Sequence, residues 1–182
     1  FPSLNQGRRD IWDNVIQERV NGIERSLRMI DMFPAELIES KDENEMQIVL
    51  KNKSVYQVMG ADDRKAVDRL RGPNPIGIMP SEYGHMREDA YLTLIPVLAE
   101  NNGWVMFGYT PNGPNHGKTL YETALANPNE WFVSKLTIEE TQRDAAGEDD
   151  SPVVSLETVD QFRKEGMTED WIQQEFYVSF TG

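Results

Sequence analysis

Two short apolar runs in this sequence end in residues able to handle a proton or a phosphate. "PIGIMP" runs into Ser81-Glu82, and "GWVMFGY" runs into Thr110. In open parallel sheets ligands gather at the carboxyl ends of strands, so these are positions where a site could form. A glutamate there could take a proton from water, or orient the water for attack on a phosphoryl group. Help of that kind contributes about 10²–10⁴-fold in rate. The bland reading, which spacing alone favours, is that Glu82 caps the helix that follows or pairs with a nearby arginine.

Positive charge clusters just upstream, at Arg64, Lys65, Arg69 and Arg71. Charge runs are usually solvated faces. Arg71 differs because Gly72 and Pro73 follow it and hold the chain at a turn. An arginine set against a transferring phosphate can be worth about 10³–10⁵ in rate. "TPNGPNHG" reads as a turn series at a strand end, and His116 within it as a surface residue. No G-x-x-x-x-G-K-[ST] loop is present, and the Gly-Lys-Thr of "GPNHGKT" follows a Pro-rich loop without the spacing of a phosphate cradle.

The elements that must position these residues follow from the pattern of apolar positions. Ile11, Trp12, Val15 and Ile16 recur at near-helical spacing and predict a helix from about Gln6 to Val20. A looser link through Pro34 leads to two strands, "EMQIVLKN" and "SVYQVMGA", joined as a hairpin at Asn52-Lys53. "ADDRKAVDRLRG" predicts a short helix or ordered turn. "PIGIMP", a helix over 87–101 that Pro96 should kink or divide, and "GWVMFGYT" then alternate. A helix "KTLYETALAN" and a third strand "EWFVSKLTI" continue that order. Alternation of this kind predicts an α/β fold with a mainly parallel sheet flanked by helices. Trp104, Phe107, Trp131 and Phe132 are expected in the core. The acidic stretch from Glu139 to Asp150 reads as a mobile loop, and Ser155 and Thr168 as N-caps of two closing helices.

Composition limits the function classes. The 182 residues suffice for one full domain, and no stretch approaches the ~20 apolar residues of a membrane span. With no Cys, disulfides and thiolate metal sites are excluded, and His85 and His116 alone make zinc a poor candidate. A net charge of −13 means the average surface repels nucleic acid, so any DNA contact must be local or supplied elsewhere. The opening "FPSLNQGRRDIW" and the closing "QQEFYVSFTG" read like the interior of a longer chain.

The order of the pieces resembles one family across nearly the whole chain. "FPSLNQGRRDIW", "FPAELI", a hairpin leading to "VMGADDR", "LRGPNPIGIMPSEY", "LIPVLAENNGWVMFGYTPNGPNHGKTLYETA" and "QEFYVSF" together resemble the large terminase subunit of tailed bacteriophages, the ATP-driven motor that packages viral DNA. The most specific parts are "SEY" and "TPNGPNHG", each after an apolar strand, and "QEF" near the end. The resemblance implies a P-loop NTPase-like core lacking its N-terminal Walker A portion. Residues 1–182 would be the C-terminal part of the ATPase domain, with the Walker A region upstream and a nuclease domain downstream. It implies ATP and Mg²⁺ as cofactors. "IGIMPSE" is similar to a Walker B strand, with Glu82 as the catalytic glutamate. Ser81 stands where an Mg²⁺-associated Asp is usual, so it would hold the metal through water and add no negative charge. More of the metal binding would then rest on the ATP phosphates and on the Walker A Ser/Thr. Thr110 resembles the coupling residue that senses the γ-phosphate. Arg71, or Arg69 beside it, resembles the arginine that reaches into a neighbouring subunit's site. The implied partners are double-stranded DNA, a portal protein and a small terminase subunit. The implied assembly is a homo-oligomeric ring on the procapsid, in the host bacterial cytoplasm and without a membrane. Two rivals stand beside this reading: a non-catalytic prophage remnant or interaction module that keeps the fold, and a hydrolase that uses Glu82 with a second acid.

Overall fold

The protein is described by a computed structural model, which covers residues 1–20, 23–141 and 151–181. It divides into two compact units, Phe1–Gly108 and Tyr109–Gly182. The expected acidic loop lies largely at 142–150, outside the described residues.

The first unit opens with a short helix α1 (Leu4–Gly7), whose Ser3 side chain accepts from the Gln6 amide, and continues as one π-helical stretch, Arg8–Trp12. The helix predicted to run to Val20 stops here. Beyond Asp13 the chain forms strand β1 (Val15–Val20), paired antiparallel with β2 (Ile23–Arg28). The β-branched Val15 and Ile16 suit a strand as well as a helix. The segment "IERSLR", read from sequence as a link, supplies the partner edge. Strands β3 (Ile38–Asp42), β4 (Gln47–Leu50) and β5 (Val55–Gln57) make a three-stranded antiparallel sheet. The predicted hairpin is present: Lys53 N–H donates to Leu50 O, Leu50 N–H donates to Ser54 O, both at 2.8 Å, and Lys53 takes φ 71° at the turn. Trp12, Ile30, Met46, Ile48 and Val58 bury themselves between these elements as one core. Trp12 donates its indole N–H to Glu43, and Lys41 lies over its ring.

A second core lies nearer the candidate site. Helix α2 (Arg64–Arg69), N-capped by Asp63, packs through Val67 and Leu70 on Ala90 and Leu94 of α3 (Glu88–Glu100). Pro96 lies inside α3 without dividing it. The carbonyl it leaves without an amide belongs to the exposed Leu92, where water can serve. Strands β6 (Gly77–Ile78) and β7 (Trp104–Val105) flank α3 in sequence and pair in parallel, in register Gly77↔Trp104 and Ile78↔Val105. This strand–helix–strand unit is the part of the fold that the alternating pattern foretold. Together with the Ser81–Gly108 bridge that extends it, it holds the only parallel pairing among the described residues, so the sheets are small and mostly antiparallel rather than one mainly parallel sheet. Trp104 is 54% exposed, and its indole lies across Gly77 instead of entering the core.

In the second unit, α4 (His116–Ala126) is N-capped by Asn115, and α5 (Leu156–Lys164) and α6 (Glu169–Tyr177) are N-capped by Ser155 and Thr168 as predicted. Ile138, Val159 and Ile172 form its core. The predicted third strand is absent from the described residues. "EWFVSKLTI" has no ladder partner there, Phe132 is 91% exposed, and only Ile138 at its end is buried. Strand propensity reflects packing on a neighbour, and a segment without a paired edge does not realise it. No helix among the described residues is long and apolar enough to cross a membrane.

Candidate active site

Past Ile78 the two parallel strands stay together for three more residues, and this is what builds the site. Met106 N–H donates to Ile78 O and Gly108 N–H to Pro80 O, both at 3.0 Å, and Ser81 forms a parallel bridge with Gly108. Glu82 N–H then donates to Gly108 O at 2.7 Å. Gly108 thus holds the chain on both sides of Ser81, at the carboxyl end of both strands.

Glu82 itself adopts the left-handed conformation, φ 57° and ψ 45°. An L-residue there pays about 1–2 kcal/mol, because its Cβ crowds the following carbonyl oxygen. Only glycine, and sometimes Asn or Asp, visits the region easily. The turn reverses the chain into a single 3₁₀ turn, Tyr83–His85, in which His85 N–H donates to Glu82 O at 2.9 Å and Met86 N–H to Tyr83 O at 3.0 Å. Neither of the bland roles open to Glu82 is realised. Its side chain makes no capping bond to the turn it precedes, and it pairs with no arginine among the described residues. A half-buried carboxylate on a strained backbone, with no partner among the described residues, is left available to a ligand or water.

Aromatic packing holds the far side of the turn. Tyr83 is buried, at 4% exposure. Its ring meets Phe107 edge-on at 4.7 Å between centroids and Tyr91 of α3 at 6.4 Å, while Tyr91 and Phe107 meet at 5.0 Å and 89°. Edge-to-face pairs of this kind are worth about 0.5–1.5 kcal/mol each beyond their buried area, enough together to offset the strain at Glu82. Sequence reading placed Phe107 in the core, whereas it is only half-buried and outside the three core clusters, and the reading missed its ring partners. The signal was there only as aromatics at 83, 91 and 107, which nothing in the linear order joins.

The other expected residues are placed as follows. Ser81 is half-buried, beside Glu82 in sequence, and its hydroxyl has no partner among the described residues. One carboxylate and one hydroxyl do not make a magnesium site by themselves, and the described residues contain no group of three or more His, Asp or Glu able to hold a metal. Arg69, in the last turn of α2, and Arg71, just beyond it, are both exposed and carry no ion pair among the described residues. Nothing in their geometry separates the two.

Thr110 belongs to the second unit, two residues past Gly108 in the chain. Its neighbours are firmly held. Tyr109 donates its hydroxyl to Gly117 O at 2.7 Å, and burial, with a smaller effect from Tyr121, pushes its pKa up to about 12. Pro111 is fully buried. The α4 N-terminus is closed by Asn115, whose side-chain oxygen accepts from Gly117 N–H at 2.9 Å, in keeping with a turn series and not a phosphate cradle.

No protein-family model matches the chain, and no curated protein matches it.

Proposed function

We propose that this chain is part of an ATP-hydrolysing motor of the large-terminase kind, which drives viral DNA into a procapsid. One observation carries the reading. Glu82 stands at the carboxyl end of two parallel strands, on a left-handed backbone, with a carboxylate that nothing in the described residues engages. Such a carboxylate can accept a hydrogen bond from a water, align it on a phosphoryl group and take its proton as the bond forms.

The rest of the proposal leans on the resemblance. The sheet would belong to a P-loop NTPase-like core whose phosphate loop lies outside this chain. Thr110 would couple hydrolysis to movement, and Arg71 or Arg69 would serve a neighbouring subunit. ATP and Mg²⁺ would be the cofactors; double-stranded DNA, a portal protein and a small subunit would be the partners of a ring assembled in the host cytoplasm. Ser81 would contribute only a neutral hydroxyl near the ion.

The test is Glu82→Gln in the complete subunit. ATP binding should persist while hydrolysis falls at least ~10²-fold. Near-normal turnover would overturn the assignment of Glu82. The competing reading, an interaction module without catalysis, has one observation in its favour. Met79, Trp104 and Met106 are all more than half exposed on short parallel strands, and parallel sheets are normally covered on both faces. A Walker A loop encoded in frame upstream supports the motor, and a start codon at this boundary supports the module.

A further inference from the structure

Strain at Glu82 persists only if the surroundings over-determine it, so the groups that fix the turn become part of the site. On the strand side the fixing is by backbone: Gly108 O accepts from Glu82 N–H, and Gly108 N–H donates to Pro80 O. On the other side it is by side chain. Tyr83, the residue immediately after Glu82, is buried with its ring against Phe107 and Tyr91. Phe107 directly precedes Gly108, and Tyr91 comes from α3. The three rings therefore join the turn, the end of β7 and the helix that links the two strands. A rotation of Glu82 back to a right-handed or extended backbone would swing Tyr83 out of this packing.

We propose that Tyr83 is a positioning residue: its ring, held by Phe107 and Tyr91, keeps Glu82 in the left-handed conformation from which its carboxylate works. The catalytic half of this statement rests on the ATPase reading above, and the conformational half does not.

The conformational half is tested on this chain by NMR. A left-handed residue gives a strong intraresidue amide–Hα NOE, and Glu82 should show one. Tyr83→Phe keeps the ring and should keep the signal, whereas Tyr83→Leu should lose it. Tyr91→Leu, which loosens the cluster from its half-exposed side, should weaken the signal and serves if Tyr83→Leu does not fold. A signal unchanged in Tyr83→Leu, or in Tyr91→Leu where that variant stands in, overturns the proposal.

The catalytic half is read in the complete subunit. There Tyr83→Leu should lower kcat by ~10- to 100-fold with KM for ATP unchanged, because a slight misplacement of a reacting group is costly in rate while nucleotide binding is left intact. Tyr83→Phe should restore kcat to within ~3-fold. If the NOE is lost and kcat holds, Tyr83 shapes the turn but does not position catalysis, and the proposal falls. If the NOE behaves as expected but Glu82→Gln turns over normally, the ATPase reading falls and the positioning of Glu82 by the rings stands.

Discussion

The left-handed backbone at Glu82 has a thermodynamic consequence that needs no substrate to measure. Replacing Glu82 by Ala keeps the Cβ and so keeps the strain, whereas Glu82→Gly removes both. The relief is about 1–2 kcal/mol. Glycine also loosens the unfolded chain, which takes back about 0.5–1 kcal/mol. The Gly variant should therefore be more stable than the Ala variant by up to about 1.5 kcal/mol, about 0.75 kcal/mol at mid-range, and loss of the carboxylate, common to both, cancels. In a chain of 182 residues, 1 kcal/mol moves Tm by about 2–4 °C, so at mid-range the pair should separate by about 1.5–3 °C. Urea unfolding followed by circular dichroism should show the same order as a shift in midpoint at constant slope. A Gly variant less stable than the Ala variant would refute the claim that the turn stores strain. If both variants also abolish hydrolysis in the complete subunit, the Gly form would be the more stable and inactive one. That is the trade expected where a strained residue is retained for function.

Two further predictions concern the scaffold of the first unit. A Cβ on Gly60 would run into the backbone of Leu4, which cannot swing aside as a side chain would, whereas a Cβ on Gly108 meets open space. Gly60→Ala should cost about 1–3 kcal/mol in urea unfolding and Gly108→Ala less than about 0.5; equal effects would contradict the packing at Gly60. Arg28, chiefly by hydrogen bonding, holds the Asp31 carboxyl below its ordinary pKa, and the Trp12 indole, with smaller help from Lys41 and Arg28, does so for Glu43. Groups lowered in the folded state stabilise it above their unfolded pKa and lose that contribution as pH falls through the folded one. Stability should therefore decline below about pH 4. Both carboxylates are substantially exposed, so the decline should be shallow, damped by salt, and smaller still in Arg28→Gln. An acid limb identical in wild type and Arg28→Gln would remove Arg28 from the account.

Much of the local architecture was legible without coordinates. The turn at Asn52-Lys53, the caps at Ser155 and Thr168, and the helices around Ala66, Leu94 and Ala124 all follow from residue types acting over a few positions. So did the strand–helix–strand order that sets "PIGIMP" beside "GWVMFGY", because parallel neighbours need a crossover and α3 is the crossover between them. What failed was each element whose type depends on a distant partner. Val15 and Ile16 left the helical register because "IERSLR" offered an edge, and "EWFVSKLTI" made no strand because no edge met it among the described residues.

The candidate site divides along the same line. By itself the sequence determined that a glutamate would follow a short apolar run, since composition and order are local facts. Only the tertiary structure decided that Glu82 would be left-handed, without an ion pair among the described residues, and backed by three rings drawn from positions 83, 91 and 107. A glutamate carries no local preference for that backbone. It is imposed by hydrogen bonds to Gly108 and by the burial of Tyr83, and both exist only once the two strands have closed on α3.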